Sequence, residues 1–147
     1  MSAVKPRAAA RLAAVQALYQ HAMEGTPLPS LLDEFHRHRL GAEIDELHFA
    51  EAEVAFFDDV VQGVVARYEE IDALLSAKLA EGWKLERVDK TMLQVLRAGV
   101  YELLARADVP TASAISEYVD VAHAFFEPRE AKFVNGVLDA VVKVVRT

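Results

Sequence analysis

KFVNGVLDAVV, residues 132–142, places apolar side chains at Phe133, Val134, Val137, Leu138 and Val141. Those intervals lay a stripe along one side of a 3.6-residue helix. Lys132, Asn135 and Gly136 fall outside it. Asn is a weak helix former and Gly costs about 1 kcal/mol in a helix interior. An Asn-Gly pair inside so strong a helical pattern points to close approach by another chain or a ligand.

The same spacing recurs outward from this stretch. Pro128 suits the first turn of the helix, where its missing donor costs nothing. Before it, helices are expected over Val88–Ala105 and Thr111–Phe126, the second preceded by Pro110 and N-capped by Thr111 or Ser113. Gly82 and Trp83 mark a joint. The stretch from Glu46 to Leu79 is long enough to need a break, expected between Arg67 and Asp72. A short helix near Leu31–Leu40 follows Pro27 and Pro29. The first helix runs from Pro6 to Met23, with Leu12, Val15, Leu18, Tyr19 and Met23 at three- and four-residue intervals. No segment alternates with period two for long enough to argue a sheet. The fold class is all-α: one domain over 1–147, a compact bundle of six or seven helices in two small subdomains, about 1–81 and 82–147.

A chain of 147 residues can bury a substantial core. It has no cysteine, which excludes disulfides, thiolate metal sites and cysteine nucleophiles. No apolar run reaches the roughly 18–20 residues of a membrane span, and the N-terminus lacks a secretory core. A reducing cytoplasm is the expected location. The six glycines are too scattered for a phosphate-cradling loop. No activated nucleophile is apparent, so the chain reads as no enzyme, with no cofactor and no metal. His36 and His38 diverge by about 200° on a helix, and His48 with Glu51 lacks the further pair that a carboxylate site needs.

The net charge of −7 is unevenly spread. Residues 1–23 carry Lys5, Arg7 and Arg11 and no acid, whereas residues 24–86 carry five bases and fifteen acids. A local basic patch can meet phosphate even on an acidic protein. Arg7 and Arg11 border the apolar stripe of the first helix, and Tyr19 can bury its ring while offering its hydroxyl to a base. Two surface arginines and a core tyrosine is the plainer reading. Arg97 either stands as a rim base or pairs with Glu102 or an acid of another helix. Phe133 reads as core or as a stacking ring. The acid-rich segment Glu43–Asp59 reads as the solvated face of a helix.

AVQALYQ (Ala14–Gln20), VLRAGVYELL (Val95–Leu104), DVPTASAISEYVDVAHAF (Asp108–Phe125) and KFVNGVLD (Lys132–Asp139), in this order, make the chain resemble the NusB family of bacterial transcription antitermination factors. The resemblance implies an all-helical NusB-like fold and an RNA-binding role. It also implies pairing with NusE, a ribosomal protein, on single-stranded boxA RNA of nascent ribosomal transcripts, within an RNA polymerase antitermination complex. A homodimer is a further possible state. The RNA-binding residues it implies are Lys5, Arg7, Arg11, Gln16, Tyr19, Arg97, Lys132, Phe133 and Asn135. Two departures stand out: Ala8, Ala9 and Ala10 thin the basic start, and Phe126-Glu127-Pro128 replaces a glycine-led loop, with Arg129 adding a base.

The expected mechanism is recognition without catalysis: a narrow cationic rim holds phosphates while rings meet unpaired bases. The competing readings are a protein-interaction module that never touches RNA, and a detached NusB-like domain of an RNA cytosine methyltransferase.

Overall fold

The computed structural model describes residues 6–37, 51–80 and 83–146, and among these it consists of helices and short connectors, with no strand. The order is α1 (Pro6–Glu24), α2 (Leu28–Glu34), α3 (Glu51–Ala66), α4 (Tyr68–Lys78), a 3-10 turn (Leu85–Arg87), α5 (Lys90–Ala105), α6 (Thr111–Phe125) and α7 (Pro128–Val145). The anticipated break falls at Arg67, whose amide turns back to the Gly63 and Val64 carbonyls. Helix α1 ends at Gly25, whose φ of 69° is the left-handed turn that glycine adopts without strain. The expected cap of α6 is absent: Pro110 precedes the helix with no side-chain cap. Asp89 caps α5 instead, its carboxylate accepting from the Thr91 and Met92 amides at 2.8 and 3.0 Å.

Helix α5 is the centre of the bundle, packing on α1, α3, α4, α6 and α7. Eleven of its residues are buried, from Met92 to Leu103. Two glycines set how closely its neighbours approach, Gly63 of α3 against Tyr101 and Gly99 of α5 against Leu138 of α7. A Cβ at Gly63 would lie inside the Tyr101 ring, so α3 and α5 can meet there only without one. The Tyr101 hydroxyl reaches past Gly63 to donate to Asp59 at 2.7 Å. Gly136, by contrast, faces open space.

The core of α1 departs from the expected stripe. Its buried face is Ala10, Ala13, Ala14 and Ala17 with Arg11, Val15 and Leu18, which lets the helix settle closely on α3 and α5. Tyr19 and Met23 lie exposed and Leu12 is only partly covered. Arg11 is 5% exposed and its guanidinium forks onto Glu102, which is fully buried, at 2.8 and 3.0 Å. Tyr118 donates to the same carboxylate, and Glu117 lies 3.6 Å from Arg11 on the other side. Burial opposes the Arg11 charge, but the Glu102 carboxylate outweighs it and leaves its pKa above the ordinary value.

At the far end, Arg146 gathers α5 and the connector after it. It donates to the carbonyls of Glu102, Leu103, Arg106 and Val109 and to the Thr111 hydroxyl, at 2.8 to 3.2 Å. Thr111 thus receives a bond from α7's end rather than capping α6.

Three outcomes follow from this packing. Gly63→Ala should lower stability by about 1–3 kcal/mol in urea unfolding, because the added Cβ overlaps the Tyr101 ring and displacing it strains the bond to Asp59, while Gly136→Ala should raise it by about 0.5–1 kcal/mol. Arg11→Ala, which strands the Glu102 carboxylate, should cost about 3–5 kcal/mol; replacing Arg11 and Glu102 together by apolar residues should cost less. Burial and the bond to Asp59 push the Tyr101 hydroxyl up to about 12. An unfolded tyrosine ionises near pH 10. The contribution of Tyr101 is therefore intact below pH 10 and lost as pH rises from about 10 to about 12. The urea midpoint should fall across that window, less steeply in Tyr101→Phe.

Candidate nucleic-acid interface

The expected cationic rim is largely neutralised within the fold. Arg7 lies 3.8 Å from Asp108 and 4.5 Å above the Phe56 ring. Arg106 makes a two-pronged pair with Asp108 at 3.0 Å, reaches Asp59 at 3.1 Å and also overlies Phe56. The Arg106 bond holds the Asp108 carboxyl below the usual carboxylate range. Arg11 faces inward, as described. Arg97 forks onto Asp72 of α4 at 2.9 and 2.8 Å and covers the Tyr68 ring at 4.5 Å. Arg11 and Arg97 therefore do not reach outward to phosphate. For Arg11 this corrects the expectation, since Glu102 takes its guanidinium; for Arg97 it is the open alternative, pairing with an acid of another helix, that the structure shows.

The remaining expected residues divide by location. Lys5 lies outside the described residues, as do His38, His48 and residues 43–50 of the acid-rich segment. Of that segment's described acids, Asp58 bonds His36 at 2.6 Å and Asp59 holds Tyr101 and Arg106. Phe133 packs against the core as a partly buried ring. Lys132 is exposed, and Asn135 lines a shallow cavity against Thr111, Ile115 and Val119 of α6. The Asn-Gly pair thus belongs to the α6–α7 face.

Gln16 and Tyr19 do come together. They line an open cavity of about 490 Å3 with Val15, Gln20, Thr91 and Phe125. Tyr19 is 40% and Phe125 39% exposed, so two rings from α1 and α6 present surface at one opening. Glu24 stands at its edge, and Gln20 is tied to Glu34 of α2 at 3.2 Å. Sequence reasoning missed Phe125 for a physical reason. At 100° per residue it falls within the buried arc of α6, and its ring meets solvent because the helix ends there. The adjacent aromatic pair Phe125-Phe126 was the available signal. Beyond it, Arg129 and Lys132 of α7 are exposed and, among the described residues, in no ion pair.

This arrangement suits binding rather than bond-making. No group of three or more His, Cys, Asp or Glu side chains is placed to hold a metal among the described residues. No described helix is long and apolar enough to cross a membrane. Rings, amides and hydroxyls at an open cavity instead offer stacking and hydrogen bonds.

Comparison with known proteins agrees along the whole chain. The NusB family profile matches residues 8–143. The transcription antitermination protein NusB of Novosphingobium aromaticivorans is 72% identical over 97% of this chain and 96% of its own length. That of Caulobacter vibrioides is 46% identical over the same shares. Among solved structures, T. maritima NusB superposes with a TM-score of 0.78 at 29% identity, covering 97% of this chain and 93% of that one. A structure of antitermination factors NusB and NusE in complex with dsRNA shares the fold, with a TM-score of 0.79 at 24% identity over 95% and 97% of the two chains. The chain belongs to the NusB family of transcription antitermination proteins, a non-catalytic family.

Proposed function

We propose that this antitermination protein binds single-stranded boxA RNA jointly with NusE, through the cavity between α1, α5 and α6. The observation that carries the reading is the pair of exposed rings, Tyr19 and Phe125, flanking Gln16 and Thr91. Unpaired bases are read by stacking on aromatic rings and by hydrogen bonds to their edges, and this opening offers both. Lys132 and Arg129, exposed on the helix that follows Phe125, supply the charge for phosphates. Asn135 serves from the shallow cavity between α6 and α7. Arg11, Arg97 and Phe133 support the surface from beneath.

The structure of antitermination factors NusB and NusE in complex with dsRNA supports NusE and RNA as the partners, while the single-stranded form rests on the exposed rings. A protein of net charge −7 attracts RNA weakly, so a partner on the same strand raises affinity by holding the second contact at high local concentration. The site of action is the cytoplasm, in the antitermination complex on RNA polymerase.

Fluorescence anisotropy of a labelled boxA RNA, with and without NusE, tests this at two salt concentrations. Tyr19→Ala and Phe125→Ala should each weaken binding by about 1–3 kcal/mol. Lys132→Gln should reduce the slope of log affinity against log salt by about 0.7. Wild-type affinity in both ring variants would overturn the assignment of the cavity, and absence of RNA binding even with NusE would overturn the function.

A further inference from the structure

Trp83 is the chain's single tryptophan and, at 59%, the most exposed of its large apolar side chains among the described residues. It stands in the connector between α4 and α5, its amide donating to the Ala80 carbonyl at 2.9 Å. An indole left in water forgoes the burial that aromatic rings usually supply. Lys84, Arg87 and Lys90 lie around it, all exposed and, among the described residues, in no ion pair. That separates them from Arg7, Arg11, Arg97 and Arg106, each of which meets a carboxylate.

The local backbone groups these cations. The Arg87 amide bonds the Lys84 carbonyl at 2.9 Å, closing a 3-10 turn over Leu85–Arg87 that Lys84 enters in an extended conformation. The turn therefore keeps Lys84 and Arg87 close along the chain. Of the two acids here, Glu86 is exposed and, among the described residues, in no ion pair, and the Asp89 carboxylate is taken up by the amides of α5. Lys90 then opens α5, and the next residue, Thr91, lines the cavity of Tyr19 and Phe125. Along the chain, Trp83, Lys84, Arg87 and Lys90 thus lead up to Thr91 at the cavity.

We infer that Trp83, with Lys84, Arg87 and Lys90, forms an extension of the RNA surface that stacks an unpaired nucleotide lying beyond those held at the cavity. The inference rests on the RNA-binding reading above. An isolated flat ring among free cations fits a base and its phosphates. A protein partner or a bilayer would call for a contiguous apolar patch, and no other large apolar side chain within the connector is exposed. Stacking at this point is tolerant of base identity, so Trp83 contributes length preference rather than sequence preference.

The single tryptophan is its own probe. Indole emission is followed while the full-length protein is titrated with single-stranded RNAs of about 6 and about 14 nucleotides, spanning the usual site sizes, and anisotropy of labelled RNA reports total binding. The longer RNA should quench the indole. Trp83→Ala should weaken its binding about 5- to 100-fold and leave the shorter RNA unchanged, while Trp83→Phe should retain most of the affinity. Circular dichroism checks that each variant is folded. Longer RNA bound with wild-type affinity by Trp83→Ala, with unmoved indole emission in the parent, overturns the extension and leaves the cavity standing. Equal quenching by the shorter RNA overturns the placement beyond the cavity. If neither RNA binds, with or without NusE, the RNA-binding reading fails and this inference falls with it.

Discussion

Glu102 sits in the middle of α5, fully buried, with its charge answered by Arg11 of α1 and by the Tyr118 hydroxyl of α6. An uncompensated carboxylate at that depth is among the costlier faults a small domain can carry, so α1 is held at the rotation that points Arg11 inward. Leu12, Gln16, Tyr19 and Met23 lie about 80–140° further round the helix. Keeping Arg11 on Glu102 therefore turns that second face outward. The surface of α1 follows from an electrostatic demand in the core, and the alanines on its inner face allow the close packing that the demand requires.

A division of labour among the cations follows. Arg11, Arg97, Arg106 and Arg146 each make several directed bonds inside the fold, as a planar guanidinium with five donors can. Lys84, Lys90 and Lys132 stay exposed. An acidic protein with this division keeps its framework rigid and leaves a few separated charges for its ligand. The three guanidiniums over Phe56, from Arg7, Arg11 and Arg106, belong to the framework side, because Glu102, Asp108 and Asp59 answer them.

Much of the fold was legible because helices write themselves locally. The stripe of Phe133 to Val141, the proline at the start of α7 and the break at Arg67 all depend on residues within a few turns. The site was less legible because its decisive contacts are distant in sequence. Arg11 and Glu102 are 91 residues apart and Arg97 and Asp72 are 25 apart, so nothing near either arginine announces its partner. Periodicity also misplaced Tyr19: a stripe of large apolar residues was read as core, although the alanine face of α1 is the buried one. Gln16 and Tyr19 were found through a motif, whereas Phe125 needed the end of α6 to be seen beside α1.

The clamp made by Arg146 has a kinetic side. Its acceptors lie 35 to 44 residues earlier in the chain. At roughly 5–20 residues per second of synthesis, the carbonyls at the end of α5 wait about 2–9 s for the side chain that closes them. Until Arg146 has been made, the junction between α5 and α6 is without the clamp that closes it.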